Sequence, residues 1–145
     1  MTGDSNATLP LDWADIHRDT LALAGRLGGA GPFRGIVAVA RGGLVPAAII
    51  ARHLDLRLVE TVCVASYDDR RQRPAEVLKR LDGDGRGWLV LDDLVDSGRT
   101  ARLVRAMLPL AHYAAVYAKP LGRADADTWQ VAVDQDVWLV FPWDR

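Results

Sequence analysis

Cysteine is almost missing from this chain of 145 residues: Cys63 stands alone. No disulfide can form within the chain, and the neighbours Val62, Val64 and Ala65 mark Cys63 as a residue packed in a strand rather than a reactive thiol. An excess of charge is missing too. Eighteen lysines and arginines stand against nineteen aspartates and glutamates, a formal net charge of −1, so there is no electrostatic footprint for a nucleic-acid backbone, and any anionic ligand must be met locally. No apolar run approaches the roughly 18 residues of a membrane span, and the N-terminus has neither the basic nor the apolar region of a secretory signal. No GxGxxG follows a strand pattern, which excludes a nicotinamide-binding Rossmann domain. His17 has no companions that suggest a metal site. What remains is a soluble, cytoplasmic protein of one domain, half of whose residues are hydrophobic, enough for a sizeable core.

The informative stretch is Trp88 to Thr100, WLVLDDLVDSGRT. Trp88, Leu89, Val90 and Leu91 form an apolar run of the kind shown by a strand buried on both faces. Asp92 and Asp93 follow, then Asp96, and the small polar turn Ser97-Gly98-Arg99-Thr100 runs into a helical pattern at Leu103, Met107 and Leu108. Backbone N–H groups at a helix start lack partners within the helix and carry the positive end of its dipole, so they suit a phosphate. Ser97 and Thr100 add hydroxyl donors, Gly98 lets the backbone approach, and Arg99 adds charge. Three carboxylates beside such a site would repel a bare anion. They fit a ligand that also presents sugar hydroxyls or brings a hard cation such as magnesium. A phosphorylated ribose carrying a metal-bound second anion meets all these demands.

The rest of the chain repeats the same organisation. Met1 to Leu11 is polar and unpatterned and reads as a loose lead-in. Asp12 can cap a helix with Trp13, Ile16, Ala24 and Leu27 at helical spacing, ended by Gly28 and Gly29. Gly35 to Ala40 reads as a strand, Arg41-Gly42-Gly43 as a turn, and Leu44 to Leu54 as a helix: a second natural anion site, now with a guanidinium. A strand from Leu58 to Ser66 leads into a charged stretch, Asp68 to Pro74, without hydrophobic period, which suits either a solvated linker or a lid that excludes water. Val77 to Arg80 resumes as a strand, and Asp82 to Gly85 turns back. Tyr113 to Ala118 is a further strand ending at Lys119-Pro120, on the edge where ligands of open α/β sheets bind. Trp129, Trp138, Phe141 and Trp143 give the tail the character of core or of a stacking wall for a flat base.

Here the sequence resembles a family. VAVARGGLVPAAIIAR, ETVCVASYDD, EVLKRLDGDGRGWLVLDDLVDSGRTA, YAKPLGR and VWLVFPWD together are similar to bacterial xanthine-guanine phosphoribosyltransferases, within the type I purine phosphoribosyltransferases. The resemblance implies an α/β fold with a mostly parallel five-stranded sheet flanked by helices. It implies a single domain over residues 1–145, with a core of about 12–122 and a small C-terminal hood of about 123–145. It implies purine salvage: transfer of a 5-phosphoribosyl group from phosphoribosyl pyrophosphate (PRPP), with Mg2+, to N9 of a 6-oxopurine such as xanthine, guanine or hypoxanthine.

Residue by residue, the resemblance puts the 5-phosphate on Ser97, Gly98, Arg99 and Thr100, and the ribose hydroxyls against Asp92 and Asp93, with Asp93 also at the metal. Pyrophosphate falls to Arg41 and Gly42, joined by a non-proline cis peptide, and to Arg73 in the lid. Asp96 handles the proton at N7, Lys119 donates to the 6-oxo group, Trp138 stacks on the base, and the Trp138 and Leu139 carbonyls read its 2-substituent. Relatives form tetramers, some associated with the inner membrane. Two positions depart from the pattern: Val140 stands where an acidic residue is expected, and a short further tail is expected beyond Asp144. Alternatives are a PRPP-sensing regulator without catalysis, which would want a basic surface, a transferase acting on another base, and a receiver-type signalling domain. The last needs an acidic pair near the start of the chain and a separate aspartate midway, whereas here all three acids fall within five residues.

Overall fold

The computed structural model describes residues 7–65 and 74–145. The stretch read as a lid, with Arg73, lies outside them apart from Pro74. In chain order the elements are β1 (Thr8–Pro10), α1 (Trp13–Leu27), β2 (Gly35–Ala40), α2 (Leu44–His53), β3 (Val59–Ala65), β4 (Glu76–Lys79), β5 (Trp88–Val95), α3 (Arg99–Met107), β6 (His112–Ala118), β7 (Thr128–Ala132) and β8 (Trp138–Val140). Asp12 does cap α1. Its carboxylate accepts from Asp15 N at 2.7 Å while Asp15 Oδ2 accepts from Asp12 N at 3.0 Å, so two otherwise unpaired donors are satisfied reciprocally.

The main sheet has the order β4-β3-β2-β5-β6-β7, parallel throughout except for β4, which runs antiparallel to β3. Helices cover both faces. Ile16, Leu23 and Leu27 of α1 and Ala47 and Ile50 of α2 pack with Ile36, Ala38, Leu89 and Leu91 on one side. Ala101, Val104 and Met107 of α3 pack with Val37, Val39, Val62 and Val90 on the other. This two-sided cover is why Trp88–Leu91 and Tyr113–Ala118 are continuous apolar runs with no alternation, every residue buried. Among the described residues no helix is long and apolar enough to cross a membrane.

Two expectations are corrected. The main sheet has six strands rather than five, because β7 leaves the tail and joins β6 in parallel, with Ala114 opposite Thr128 and Tyr117 opposite Val131. Thr128 to Val131 are all half-buried, so no alternation announced the strand. Residues 8–10 are not a loose lead-in: β1 pairs in parallel with β8, Thr8 opposite Trp138 and Pro10 opposite Val140. Three exposed residues carry no periodic signal, and the strand they pair with, β8, lies far along the chain.

Candidate active site

β2, β5 and β6 run parallel, so Ala40, Val95 and Ala118 end on one edge of the sheet and deliver three connections to the same place. The first is the Arg41-Gly42-Gly43 turn. Its cis peptide joins Ala40 to Arg41, not Arg41 to Gly42 as the resemblance implied. The chain reverses from the last residue of the strand itself, and Gly43 N returns to Val39 O at 2.8 Å. The turn is pressed against β5. A Cβ on Gly42 would lie 2.3 Å from Asp93 Oδ2, and one on Gly43 only 2.2 Å from the Leu91 carbonyl oxygen.

The second connection begins with the acidic pair. Successive strand residues face opposite sides, so Asp92 and Asp93 meet different neighbours. Asp92 is 6% exposed; the Tyr113 hydroxyl donates to its Oδ2 at 3.0 Å and Asp93 N to its Oδ1 at 2.9 Å. Asp93 is half-buried beside Gly42. Burial pushes the Asp92 carboxyl up. Asp93 is pushed well above the usual carboxylate range, first by burial and then by the charge of Asp92. Burial likewise raises the Tyr113 hydroxyl, and the neighbouring Asp92 adds to it.

Among the described residues no lysine or arginine comes within ion-pair distance of either carboxylate, and no cluster of three or more His, Cys, Asp or Glu could hold a metal by itself. Neighbouring carboxylates fit a cation that arrives with other ligands of its own, to which Asp93 could supply an oxygen.

Beyond Val95 the chain forms the loop into α3. Gly98 sits at φ +86°, a left-handed conformation open to glycine, and caps α3 with no side chain. Ser97 Oγ accepts from Arg99 N at 3.3 Å. Arg102 braces the loop from below, donating to Asp125 Oδ2 at 2.8 Å and to Ser97 O at 3.3 Å. With no acid in the first helical turn, the positive end of the helix dipole suits an anion.

The third connection carries Lys119. It is 3% exposed, with Nζ 3.2 Å from Asp96 Oδ2. A buried ammonium therefore reaches from the end of β6 to the half-exposed carboxylate at the end of β5. Trp138, 64% exposed, presents its ring from β8, whereas Leu139 is buried.

The structure thus joins Lys119 with Asp96, and Gly42 with Asp93; Trp138 belongs to neither pair. Sequence reasoning missed three participants. Tyr113 holds Asp92, a relation visible only once the β5–β6 register sets Asp92 opposite Ala115 and Tyr113 two residues earlier on the same face. Asp125 braces Arg102 beside Gly98. Gln135 touches Asp96 and lies in no motif.

Residues 28–145 match the family described as "Phosphoribosyl transferase domain". A xanthine-guanine phosphoribosyltransferase of Nitratidesulfovibrio vulgaris (strain DP4) is 58% identical over 136 residues, spanning 93% of this chain and 83% of that protein. One from Desulfotalea psychrophila (strain LSv54 / DSM 12343) is 52% identical over 145 residues, spanning 99% and 91%. Among solved structures, a purine phosphoribosyltransferase from Pyrococcus horikoshii Ot3 superposes with a TM-score of 0.80 at 27% identity, covering 95% of both chains. The match runs from the end of α1 to the last residue and takes in all three connections at the sheet edge: the chain belongs to the phosphoribosyltransferases.

Proposed function

We propose that this chain transfers the 5-phosphoribosyl group of PRPP to N9 of a 6-oxopurine, xanthine or guanine foremost, releasing pyrophosphate and forming the nucleoside monophosphate. One observation carries the choice of base: a buried ammonium, Lys119, lies 3.2 Å from a carboxylate, Asp96. O6 and N7 sit side by side on one edge of a 6-oxopurine, one a pure acceptor and the other able to carry a proton, and a donor next to an acceptor matches them. Adenine would set its 6-amino donor against Lys119 and leave both donors unpaired, a large discrimination in a desolvated site.

The other groups divide the remaining work. Backbone N–H groups and hydroxyls of Ser97 to Thr100 hold the 5-phosphate. Asp93, with Asp92 behind it, accepts from the ribose hydroxyls, and Arg41, Gly42 and Arg73 take the pyrophosphate. Mg2+, with Asp93 among its ligands, would supply countercharge to the leaving group. As the bond from the anomeric carbon to pyrophosphate breaks, positive charge spreads over the ribose ring, and the Asp92–Asp93 pair faces it with negative charge. N9 forms the new bond to that carbon from the opposite side, and the N7 proton passes to Asp96. Trp138 gives the base a wall to stack on. Alignment of two ligands is the main contribution of the protein.

The test is nucleotide formation from PRPP and Mg2+ with guanine, xanthine, hypoxanthine and adenine in separate assays. Product from the 6-oxopurines and none from adenine is expected, with Lys119→Ala weakening 6-oxopurine binding. PRPP binding without product from any base would point instead to a sensor.

A further inference from the structure

Gln135 lies in the connection between β7 and β8, and its side-chain amide is used on both ends. Its Oε1 accepts from Leu121 N at 2.8 Å, two residues beyond Lys119. Its Nε2 donates to Asp96 Oδ1 at 2.8 Å. A backbone N–H can only donate, so the amide oxygen must face Leu121 and the NH2 must face Asp96; this orientation follows from the partners. Lys119 occupies the other Asp96 oxygen, Oδ2, at 3.2 Å. The half-exposed carboxylate is therefore held from two sides, by the end of β6 and by the hood.

These two contacts have different fates when a base enters. An ammonium that turns to the 6-oxo group releases Oδ2, and without a second anchor the Asp96 carboxylate could swing about its χ angles toward solvent. We propose that Gln135 is a positioning residue for the transfer: its amide fixes Asp96 Oδ1, so that Oδ2, freed by Lys119, faces the base nitrogen whose proton it receives. This rests on the role of Asp96 proposed above. The residue type follows from the task. A glutamate would still accept from Leu121 N but would lose the donor to Asp96 and set an anion against it, and an alanine would hold neither.

The experiment is a double-mutant cycle on the full chain, with kcat and the KM values for PRPP and guanine measured for Gln135→Glu, Asp96→Asn and the double variant, and melting temperatures taken as a folding control. Gln135→Glu is expected to lower kcat by about tenfold or more with the KM for PRPP unchanged. In the Asp96→Asn background it is expected to cause no further loss, because the group it positions is already gone. Multiplying losses in the double variant would overturn the proposal by showing that Gln135 acts independently of Asp96. A wild-type kcat for Gln135→Glu beside a crippled Asp96→Asn would overturn it while leaving Asp96 in place. Full turnover by Asp96→Asn would remove both.

Discussion

The two turns at the ends of β2 and β5 serve neighbouring parallel strands and open onto the same edge, yet they are held in opposite ways. The Arg41-Gly42-Gly43 turn is clamped by backbone, with Gly43 against the Leu91 carbonyl in mid-strand. The Ser97-to-Thr100 loop is shaped by a left-handed glycine and braced by the Arg102–Asp125 pair, with Asp125 Oδ2 2.2 Å from where a Gly98 Cβ would stand. Backbone in a covered sheet has nowhere to go, whereas a partly exposed aspartate can rotate away. The first turn is therefore a rigid wall and the second an adjustable cradle. On the function proposed above, the pyrophosphate would meet the fixed wall and the 5-phosphate the adjustable cradle.

The sharpest way to break the comparison is Gly43→Ala. Its Cβ meets a carbonyl that cannot move without shifting β5, so a loss of about 3 kcal/mol or more is expected, roughly 10 °C in melting temperature, read by thermal unfolding. Gly98→Ala should cost less, about 2 kcal/mol, from the left-handed conformation together with a movable neighbour. Adding Asp125→Ala should recover the steric part and leave the conformational part; full recovery would mean that the φ of +86° is not the constraint. Gly42→Ala lies between the two kinds of support, because what it meets is the Asp93 carboxylate at 2.3 Å. The fold should survive as that side chain swings aside, but the KM for PRPP should rise about tenfold, near 1.4 kcal/mol.

Asp93→Asn should have the smallest effect on stability, and the opposite sign. The Asp93 carboxyl is pushed up in the folded chain by burial and by Asp92, so its contribution to stability is full below the unfolded-state carboxylate range and is lost as pH rises through the folded value. Above that folded value the ionised pair opposes folding. Removing one charge should raise the melting temperature by roughly 2–4 °C, about 1 kcal/mol, while PRPP binding collapses. Toward pH 4 and below, where the wild-type carboxyl is protonated, the gain should disappear. A pH-independent gain would trace it to packing rather than charge.

How much of this was legible before any coordinates depended on how local the cause was. Asp12 announced α1 because a helix cap acts within a few residues; that Asp15 answers it in a reciprocal box showed only in the structure. The apolar runs of β5 and β6 announced a sheet covered on both faces, and their ends announced the acidic pair and Lys119. Partnerships across strands were illegible, because they depend on register: Tyr113 with Asp92, Asp125 with Arg102 beside Gly98, and Gln135 with Asp96. β1 and β7 escaped for the same reason, each deriving its strand character from a partner rather than a pattern. The position of the cis bond at Ala40–Arg41 likewise left no mark in residue type.

The pairing of β1 with β8 has a consequence for the order in which the molecule can be completed. Trp138 N donates to Ala7 O, Leu11 N to Val140 O, and the Arg145 side chain to Leu11 O. During synthesis β1 thus waits for β8, the last of the described strands. Until residues 138–145 have left the ribosome, residues 7–11 lack the partners they have here, and Trp138 has no second strand beside it. Nascent chains can assemble the main sheet through β6 before β8 has its partner, so the base subsite proposed above is completed only when the hood folds.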